Sequence, residues 1–368
     1  QGEEICSVDN IQEMLSKLQS IPDDSIYFHA SNNHFSNWIA ARGKLTLASK
    51  FRSIKVSDYN SNQRRRAKYI QLITDELSND TLTKVADFYN SNESNFTKIG
   101  NGSLGGKARG LAFANSYIKE LRLNKIYSNV TIKIPKTLVI TTNEFDEFMN
   151  NNDLWEIALH SSNNDKIVNS FLGATLSKTI VKSIKSFLKQ INHPLAIRSS
   201  SLSEDSQYQP LSGMYSTFML PNIHSNIKIR LEHVLEAIKR IFASTFFQEP
   251  KSIIDTTVQR HEEEKMAIII MEMIGKKHEE YFYPTFSGVA QSYNYYPVSH
   301  MNRKEGIAFV ALGLGKTIVD GDKSLRFSPH HPNIFPQYYS IKSTIENSQN
   351  KFYALSMNVD KNPLENGE

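Results

Sequence analysis

The sequence predicts a mixed α/β protein (α/β or α+β), because strand and helix patterns alternate along most of its length. A nearly continuous apolar run at 267–274, broken only by Glu272, is typical of a strand buried on both faces. A glycine-rich stretch at 98–110 leads directly into an amphipathic helical pattern. Residues 1–95 show helical patterns, so we expect a small helical region before the α/β part.

Composition limits the class of protein. Of 368 residues, 39% are hydrophobic and 22% are charged, which is typical of a soluble globular chain with two or three domains. The net charge of +4 is too small to indicate nucleic-acid binding, and no apolar run approaches a membrane span. The single Cys6 excludes an internal disulfide and predicts a cytoplasmic location. Because Gln1 opens the chain without a signal peptide or initiator Met, we expect a processed chain or a piece of a longer protein.

The helical N-terminal region, residues 1–95, is expected to carry no chemistry of its own. Apolar spacing predicts three helices and a polar, asparagine-rich connector, at 8–20, 33–48, 61–77 and 78–95. Three consecutive arginines, Arg64 to Arg66, are interpreted as a solvated helix face rather than a basic patch. His29 and His34 lack the spacing of a metal site, so packing or helix capping is expected of them.

The glycine-rich stretch at 98–110 is the first candidate for function. It combines five glycines with Lys107 and Arg109, immediately before a helix. Free N–H groups and the positive end of the helix dipole make such a place attractive to phosphate. The alternative is a loop whose glycines only make a turn.

Neither standard phosphate-binding motif fits this stretch. Gly100, Gly102 and Gly105 satisfy the dinucleotide fingerprint G-x-G-x-x-G, which also needs an acidic residue at the end of the next strand. That strand is predicted at 130–134 and ends without one. A Walker A loop needs Ser or Thr after its lysine, where this chain has Ala108. We therefore expect a different phosphate-handling fold.

Strands and helices continue to alternate after this loop. A short strand at 134–140 leads to a helix that Thr141 or Thr142 caps. Further helices are predicted at 174–190 and 226–245, and further strands at 286–290 and 307–312.

Three more residues are candidates for binding. Arg198 ends a buried-looking strand and opens a serine run, so it either grips a phosphate or pairs with the acids at 204–205. Glu272 faces the amino group of a bound base, a structural partner or solvent. Lys316 follows Gly-Leu-Gly, but Val310 stands where a Walker A loop needs glycine, so a surface lysine is the simpler interpretation.

Several weak motifs follow one another along residues 97–325. They are the loop at 102–111, the strand at 134–142 with Phe148, the Arg-Ser-Ser-Ser segment at 196–205 with 212–218, and the segments at 241–246, 266–275, 287–290, 313–315 and 319–321. In this order they resemble the nucleotide-binding domain of the phosphoenolpyruvate synthase and pyruvate phosphate dikinase family.

The resemblance implies an ATP-grasp-like fold, in which two α/β lobes close on Mg-ATP. The first lobe is expected at 96–225 and the second at 226–340. The helical region at 1–95 precedes them, and residues 341–368 are expected to connect them to further domains.

The resemblance also implies a set of site residues. It assigns Lys107 and Arg198 to the ATP phosphates, as catalytic and as binding residues. Glu272 falls where the family usually has a glutamine near the adenine, and Met273 and Ile274 would offer backbone contacts to the base. The loop glycines assigned to the nucleotide are Gly102, Gly105 and Gly106.

In the family, this domain passes a pyrophosphoryl group from ATP to a histidine on a swivelling domain, and a third domain converts pyruvate to phosphoenolpyruvate. Nothing in the sequence resembles those two domains. We therefore expect the ATP-binding portion of a larger, pyruvate, water dikinase-like phosphotransferase. Its expected cofactors are ATP and Mg²⁺, and its expected partners are the phosphohistidine domain, the pyruvate-binding domain and a small-molecule acceptor. No nucleic-acid or membrane partner is expected.

The metal-holding strand departs from the family pattern. Where the family tends to have two acids, this chain has Val310 and Lys316. Lys316 would replace part of a metal's charge, or Glu305, Asp320 or Asp322 would supply ligands. With a degenerate site, the chain would be a non-catalytic nucleotide-binding regulatory module. A related dikinase acting on a glucan or an antibiotic is a further alternative, because the missing domains choose the acceptor.

Overall fold

The computed structural model describes most of the chain. The residues outside the described part are 1–4, 9–10, 42–43, 56–60, 80–85, 88–94, 202–212, 256–260, 262–263, 299–300, 359–362 and 365–368.

Helices and strands alternate after the N-terminal region. The helices are α1 (Ile11–Leu18), α2 (Asp23–Ser31), α3 (His34–Ala41), α4 (Leu45–Ser53), α5 (Asn62–Asn79), α6 (Gly105–Glu120), α7 (Leu123–Ile126), α8 (Thr142–Asn151), α9 (Trp155–His160), α10 (Asn164–Gly173), α11 (Lys178–Gln190), α12 (Ile227–Ser244), α13 (Gln248–Ile254), α14 (Lys316–Val319) and α15 (Ile341–Asn347). The strands are β1 (Ala86–Asp87), β2 (Phe96–Ile99), β3 (Thr137–Ile140), β4 (Leu195–Ser201), β5 (Thr217–Leu220), β6 (Met266–Glu272), β7 (Lys276–His278), β8 (Tyr281–Tyr283), β9 (Ser287–Gln291), β10 (Ile307–Ala311), β11 (Leu325–Phe327) and β12 (Leu355–Ser356).

The chain divides into two compact units. The first comprises residues 1–187, 197–217 and 234–271, and the second comprises residues 188–196, 218–233 and 272–368. Helices mixed with several sheets confirm the predicted α/β class. Among the described helices, none combines the length and apolar character that crossing a membrane requires.

Helices α1 to α5 pack around one hydrophobic core in the first unit. Its buried members are Met14, Leu18, Ile26, Ile39, Leu47, Ala48, Phe51, Tyr69 and Ile73. Within it the rings of Phe51 and Tyr69 stack with their centroids 4.4 Å apart. The helical region predicted before the α/β part is therefore confirmed.

One helix prediction in this region is wrong, and one helix was missed. The pattern at 33–48 forms two helices, α3 and α4, and Lys44 between them has a non-helical ψ of 60°. Helix α2 was not predicted, because it has no one-sided apolar stripe. It buries Ile26 but exposes Tyr27 and Phe28.

The three consecutive arginines are not a solvated face. Arg65 is 2% exposed, and its guanidinium carbon lies 5.7 Å from the centre of the Tyr27 ring. Arg66 donates to two backbone carbonyls between α1 and α2, and its Nη2 lies 2.5 Å from Asp23 Oδ1. Of the three, Arg64 is exposed. The groups that contact Arg65 and Arg66 come from segments distant in the sequence, which the local charge pattern could not indicate.

His29 and His34 face each other at the junction of α2 and α3. Their Nδ1 atoms are 3.1 Å apart, and the rings of Phe28 and Phe35 lie beside them. Burial, and secondarily the charge of His34, lower the pKa of His29 below its ordinary value. The two side chains pack in an aromatic cluster, which agrees with the packing interpretation.

A six-stranded sheet has the strand order β1–β2–β3–β6–β4–β5. Strands β1, β2 and β3 are parallel, and β6 runs antiparallel to β3, with Ile140 opposite Ile268. Strand β6 is an inner strand of this sheet, and the first five of its residues are buried on both faces, as the apolar run predicts. The strand predicted at 130–134 is wrong: Val130 is exposed, and β3 begins only at Thr137, after Pro135.

The described part of the second unit contains two three-stranded antiparallel sheets, with the orders β11–β10–β9 and β12–β8–β7. Strands β9 and β10 confirm the predictions at 286–290 and 307–312 to within one residue at each end. A small core in this unit contains Ala196, Met273, Phe282, Leu314 and Met357.

Candidate functional site

The glycine-rich loop connects β2 to α6 in the first unit. Strand β2 ends at Ile99 and α6 begins at Gly105, so Lys107 lies in the first turn of the helix. Since β2 and β3 are parallel neighbours, α6 belongs to the crossover between them. The structure therefore has the predicted loop, followed at once by a helix start.

Gly105 is the loop residue with the least space around it. Its φ is +73°, and a β-carbon added there would lie 1.7 Å from the carbonyl oxygen of Ser200 in β4. Because that atom belongs to the backbone, it cannot rotate away. Glycine is required at this position both for its conformation and for the close approach of α6 to β4.

Two serine hydroxyls bind the start of α6. The Gly105 N–H donates to Ser103 Oγ at 3.2 Å, and the Ala108 N–H donates to Ser200 Oγ at 3.0 Å. Within the described part of the chain, no recorded acceptor takes the N–H of Gly106. This donor, together with the positive end of the helix dipole, suits a bound anion.

Lys107 and Arg198 both belong to this region of the first unit. Lys107 Nζ lies 3.5 Å from the Oγ of Ser199, the residue that follows Arg198 in β4. The Arg198 side chain is partly buried, and no described residue forms a recorded ion pair or hydrogen bond with it. The acids at 204–205, its alternative partners, lie outside the described residues. The two predicted cations thus come from a helix start and the strand that contacts it.

Helix α8 anchors the loop. The Ser103 N–H donates to Thr142 Oγ1 and the Thr142 N–H donates to the Ser103 carbonyl, both at 3.0 Å. Thr141 is the residue before the helix, but its side chain makes no capping hydrogen bond. Neither threonine caps the helix through its side chain, although Thr141 or Thr142 was predicted to do so. Thr142 instead holds the loop through its hydrogen bonds with Ser103.

Glu144 is a buried carboxylate that the sequence-based predictions missed. It is 7% exposed and accepts a hydrogen bond from Ser177 Oγ at 3.0 Å. Burial raises the pKa of this carboxyl above its ordinary value. A β-carbon on Gly100 would lie 2.9 Å from its Oε1, so the carboxylate is close to the loop. The spacing of Thr141 and Glu144, typical of a helix start, is the signal that could have identified it.

Glu272, Met273 and Ile274 lie in the second unit. Glu272 Oε1 is 3.8 Å from Nδ1 of His193, with the two side chains 24% and 59% exposed. A structural partner, one of the three predicted alternatives for Glu272, is therefore present. The Met273 N–H donates to the Pro194 carbonyl at 2.8 Å, and Ile274 is exposed.

The three predicted acids of the second unit have partners of their own. Glu305 accepts from the Asn302 N–H and from a serine hydroxyl, and these hydrogen bonds lower the pKa of its carboxyl. Asp320 lies 3.7 Å from Lys316 Nζ, and Asp322 lies 3.3 Å from the ammonium of a second lysine. Within the described residues, no group of three or more His, Cys, Asp or Glu side chains is arranged to hold a metal.

Residues 101–367 match a known sequence family, described as the pyruvate phosphate dikinase, AMP/ATP-binding domain. The chain belongs to this family. The match starts inside the glycine-rich loop and continues beyond residue 325, where the series of weak motifs ends. The resemblance to the nucleotide-binding domain of this dikinase family is thereby confirmed, and the family's domain has an ATP-grasp-like fold.

Two further comparisons describe the chain. Residues 5–99 match a family of unknown function (DUF5752), which coincides with the helical N-terminal region. The chain is also similar to the uncharacterized phosphotransferase YvkC of Bacillus subtilis (strain 168), at 27% identity over 194 residues. That alignment covers 52% of this chain and 20% of the relative, so the chain spans about a fifth of the relative's length. The matches support a nucleotide-binding role in a phosphotransferase.

Proposed function

We propose that the chain is the ATP-binding portion of a phosphoenolpyruvate synthase-like phosphotransferase. It passes a (pyro)phosphoryl group from ATP to a phosphocarrier histidine on another domain of the same larger protein. The observation that carries the proposal is the contact of Lys107, in the first turn of α6, with Ser199, the neighbour of Arg198 in β4. The cytoplasmic location predicted from Cys6 belongs to the same proposal.

The chemistry of these groups supports phosphate binding. Phosphoryl transfer asks a protein mainly to position the phosphates and to neutralise their charge. The Lys107 ammonium is a compact point charge, whereas the Arg198 guanidinium donates through a planar fork that matches phosphate oxygens. The Gly106 N–H adds a donor at the helix start. Gly105 precedes it directly, and Gly102 lies four residues earlier in the loop. Together they form a cationic, donor-rich cradle for a polyphosphate.

We place the base at residues 272–274. A carboxylate accepts hydrogen bonds and cannot donate them, so Glu272 fits the exocyclic amino group of adenine. The exposed Ile274 and its neighbour Met273 would offer backbone groups to the base edge. Adenine rather than guanine is proposed, since guanine carries an oxygen where adenine carries the amino group.

Mg²⁺ does not fit the described residues as a protein-held ion. Val310 and Lys316 stand at the two positions where the family tends to have acids. The nearby carboxylates of Asp320 and Asp322 each face a lysine. We propose that the phosphate oxygens of ATP hold the ion, which for Mg²⁺ is a common arrangement.

Binding measurements on purified chain test the proposal. We expect Lys107→Ala and Arg198→Ala each to weaken ATP binding by about tenfold or more, the loss of one charge-assisted contact. Lys119→Ala is the matched control, because that lysine is exposed in the last turn of the same helix. Calorimetric titration with ATP gives the affinities. Undiminished binding in both Lys107 and Arg198 variants would contradict the proposal.

A second candidate is a non-catalytic nucleotide-binding module, favoured by Val310 and Lys316 at the metal-holding positions. A related phosphotransferase with a glucan or antibiotic acceptor would share this ATP domain, since other domains select the acceptor. Incubation with labelled ATP and an added phosphohistidine domain separates these possibilities. Label on that histidine supports transfer, and tight ATP binding without label supports the module.

A further inference from the structure

We propose that Arg230 and Asn222 are positioning residues for nucleotide binding, which hold the segment 272–274 in place through the loop at 191–194. The inference rests on the proposed function, because it takes 272–274 as the place where the base binds. All of these residues belong to the second unit.

Arg230, on α12, is a buried cation, and each of its three guanidinium nitrogens donates to an oxygen atom of a neighbouring segment. It is 8% exposed. Its guanidinium donates to the carbonyl of Leu188 at 2.8 Å, the carbonyl of Ile191, Asn192 Oδ1 at 3.2 Å and Asn222 Oδ1 at 2.8 Å. Neutral oxygens thus satisfy the buried charge, and they fix the end of α11 and the loop that follows.

Asn222 continues this network toward the base-binding segment. It is buried, and its φ of +53° lies in the left-handed region, which asparagine tolerates better than most residues. Its Nδ2 donates to the carbonyl of His193 at 2.8 Å and to that of Ile191 at 3.3 Å. The amide therefore receives a hydrogen bond from Arg230 and donates two to the loop.

The same loop contacts two consecutive residues of the segment. The Pro194 carbonyl accepts from the Met273 N–H at 2.8 Å, and the His193 imidazole lies 3.8 Å from the Glu272 carboxylate. The Met273 side chain belongs to the same small core as Ala196, just beyond the loop. A displaced loop would therefore shift both the carboxylate and the backbone that are proposed to meet the base.

Lys251 provides a matched control in the first unit. It is likewise a buried cation, and its Nζ donates to the carbonyl of Ser161 at the end of α9, at 2.8 Å. It makes no recorded contact with the loop at 191–194 among the described residues. Lys251→Met should lower the melting temperature without changing the ratio of the affinities for ATP and for inorganic tripolyphosphate, which lacks the base.

The experiment compares ATP with inorganic tripolyphosphate, which presents the phosphates without the base. The variants are Asn222→Gly, which keeps the left-handed backbone and removes the amide, and Arg230→Lys. In folded protein, we expect each to weaken ATP binding about tenfold, equivalent to about 1.4 kcal/mol, and to leave tripolyphosphate binding within about twofold. Amide hydrogen exchange at Met273 should become faster in Asn222→Gly even without nucleotide.

The outcomes separate this inference from the proposed function. If the wild-type chain does not bind ATP, both fail. If it binds ATP and both variants bind like wild type, or lose ATP and tripolyphosphate equally, the positioning role fails while the proposed function stands. If Lys251→Met changes the ATP to tripolyphosphate ratio as much as Asn222→Gly does, general destabilisation explains the effect and the positioning role is overturned.

Discussion

Gly105 and Ser200 lie in backbone contact, although 94 residues separate them in the sequence. A β-carbon on Gly105 would lie 1.7 Å from the Ser200 carbonyl oxygen, and the Ser200 hydroxyl accepts the Ala108 N–H. The start of α6 is thus seated against β4, the strand that carries Arg198. This contact aligns the loop with the cation that is proposed to share its ligand.

Gly105→Ala should destabilise the fold by more than about 2 kcal/mol, because it adds a backbone clash to a left-handed conformation. Gly110→Ala is the matched control in the same helix. A β-carbon there meets nothing within 4 Å, so that variant should gain about 0.5–1 kcal/mol. Urea unfolding measures both. Equal stability of the two variants would show that the contact with Ser200 is not required.

Arg66→Ala should cost about 1–2 kcal/mol, because it leaves two backbone carbonyls and Asp23 without the donor that links α5 to the turn before α2. Arg64→Ala, two residues away and exposed, should change the free energy of unfolding by less than about 0.5 kcal/mol. Chemical denaturation of the N-terminal helices, followed by circular dichroism, gives the two values. A small effect at Arg66 would show that its contacts with the turn before α2 contribute little to stability.

Glu144 should make stability depend on pH. Because burial raises its pKa above 4.5, the folded state binds the proton more tightly than the unfolded chain does. The stability that this group contributes is complete below pH 4.5 and is lost as the pH rises through the folded pKa. Glu144→Gln should therefore be more stable than wild type by about 1 kcal/mol at pH 7, with the difference vanishing toward pH 4.

Urea midpoints between pH 4 and pH 8 measure this dependence. Glu156→Gln, an exposed change on the next helix, is the control and should follow the wild-type curve closely. A constant difference between Glu144→Gln and wild type across the pH range would show that the Glu144 carboxyl titrates normally.

Glu272→Gln should relax base selectivity. An amide can turn to donate or to accept, whereas a carboxylate only accepts, so the variant should bind GTP relative to ATP about tenfold better than wild type does. Competition between the two nucleotides measures the ratio directly. An unchanged ratio, with ATP still bound, would place the base away from Glu272.

Much of the architecture was accessible from local patterns. The apolar run that forms β6 was clear from the sequence, because a strand that is covered on both faces of its sheet must be apolar at consecutive positions. The loop and helix at 98–120 were equally clear, since glycines and helical spacing are local features. Helix α2 was missed because it has no distinctive one-sided apolar stripe. The break between α3 and α4 was missed because the apolar pattern at 33–48 could be assigned to a single helix.

The sequence by itself determined the helical N-terminal region, the α/β class, the glycine-rich loop before α6 and, through the order of weak motifs, the family. Each of these depends on short patterns or motifs whose residues are close to one another in the chain. Tertiary structure alone decided that Ser200 binds the start of α6, that Arg65 is buried, and that Arg230 reaches the loop beside Glu272. The physical reason is that a buried charge or an uncapped helix start is stabilised by oxygen atoms from distant segments, and only folding brings them into range.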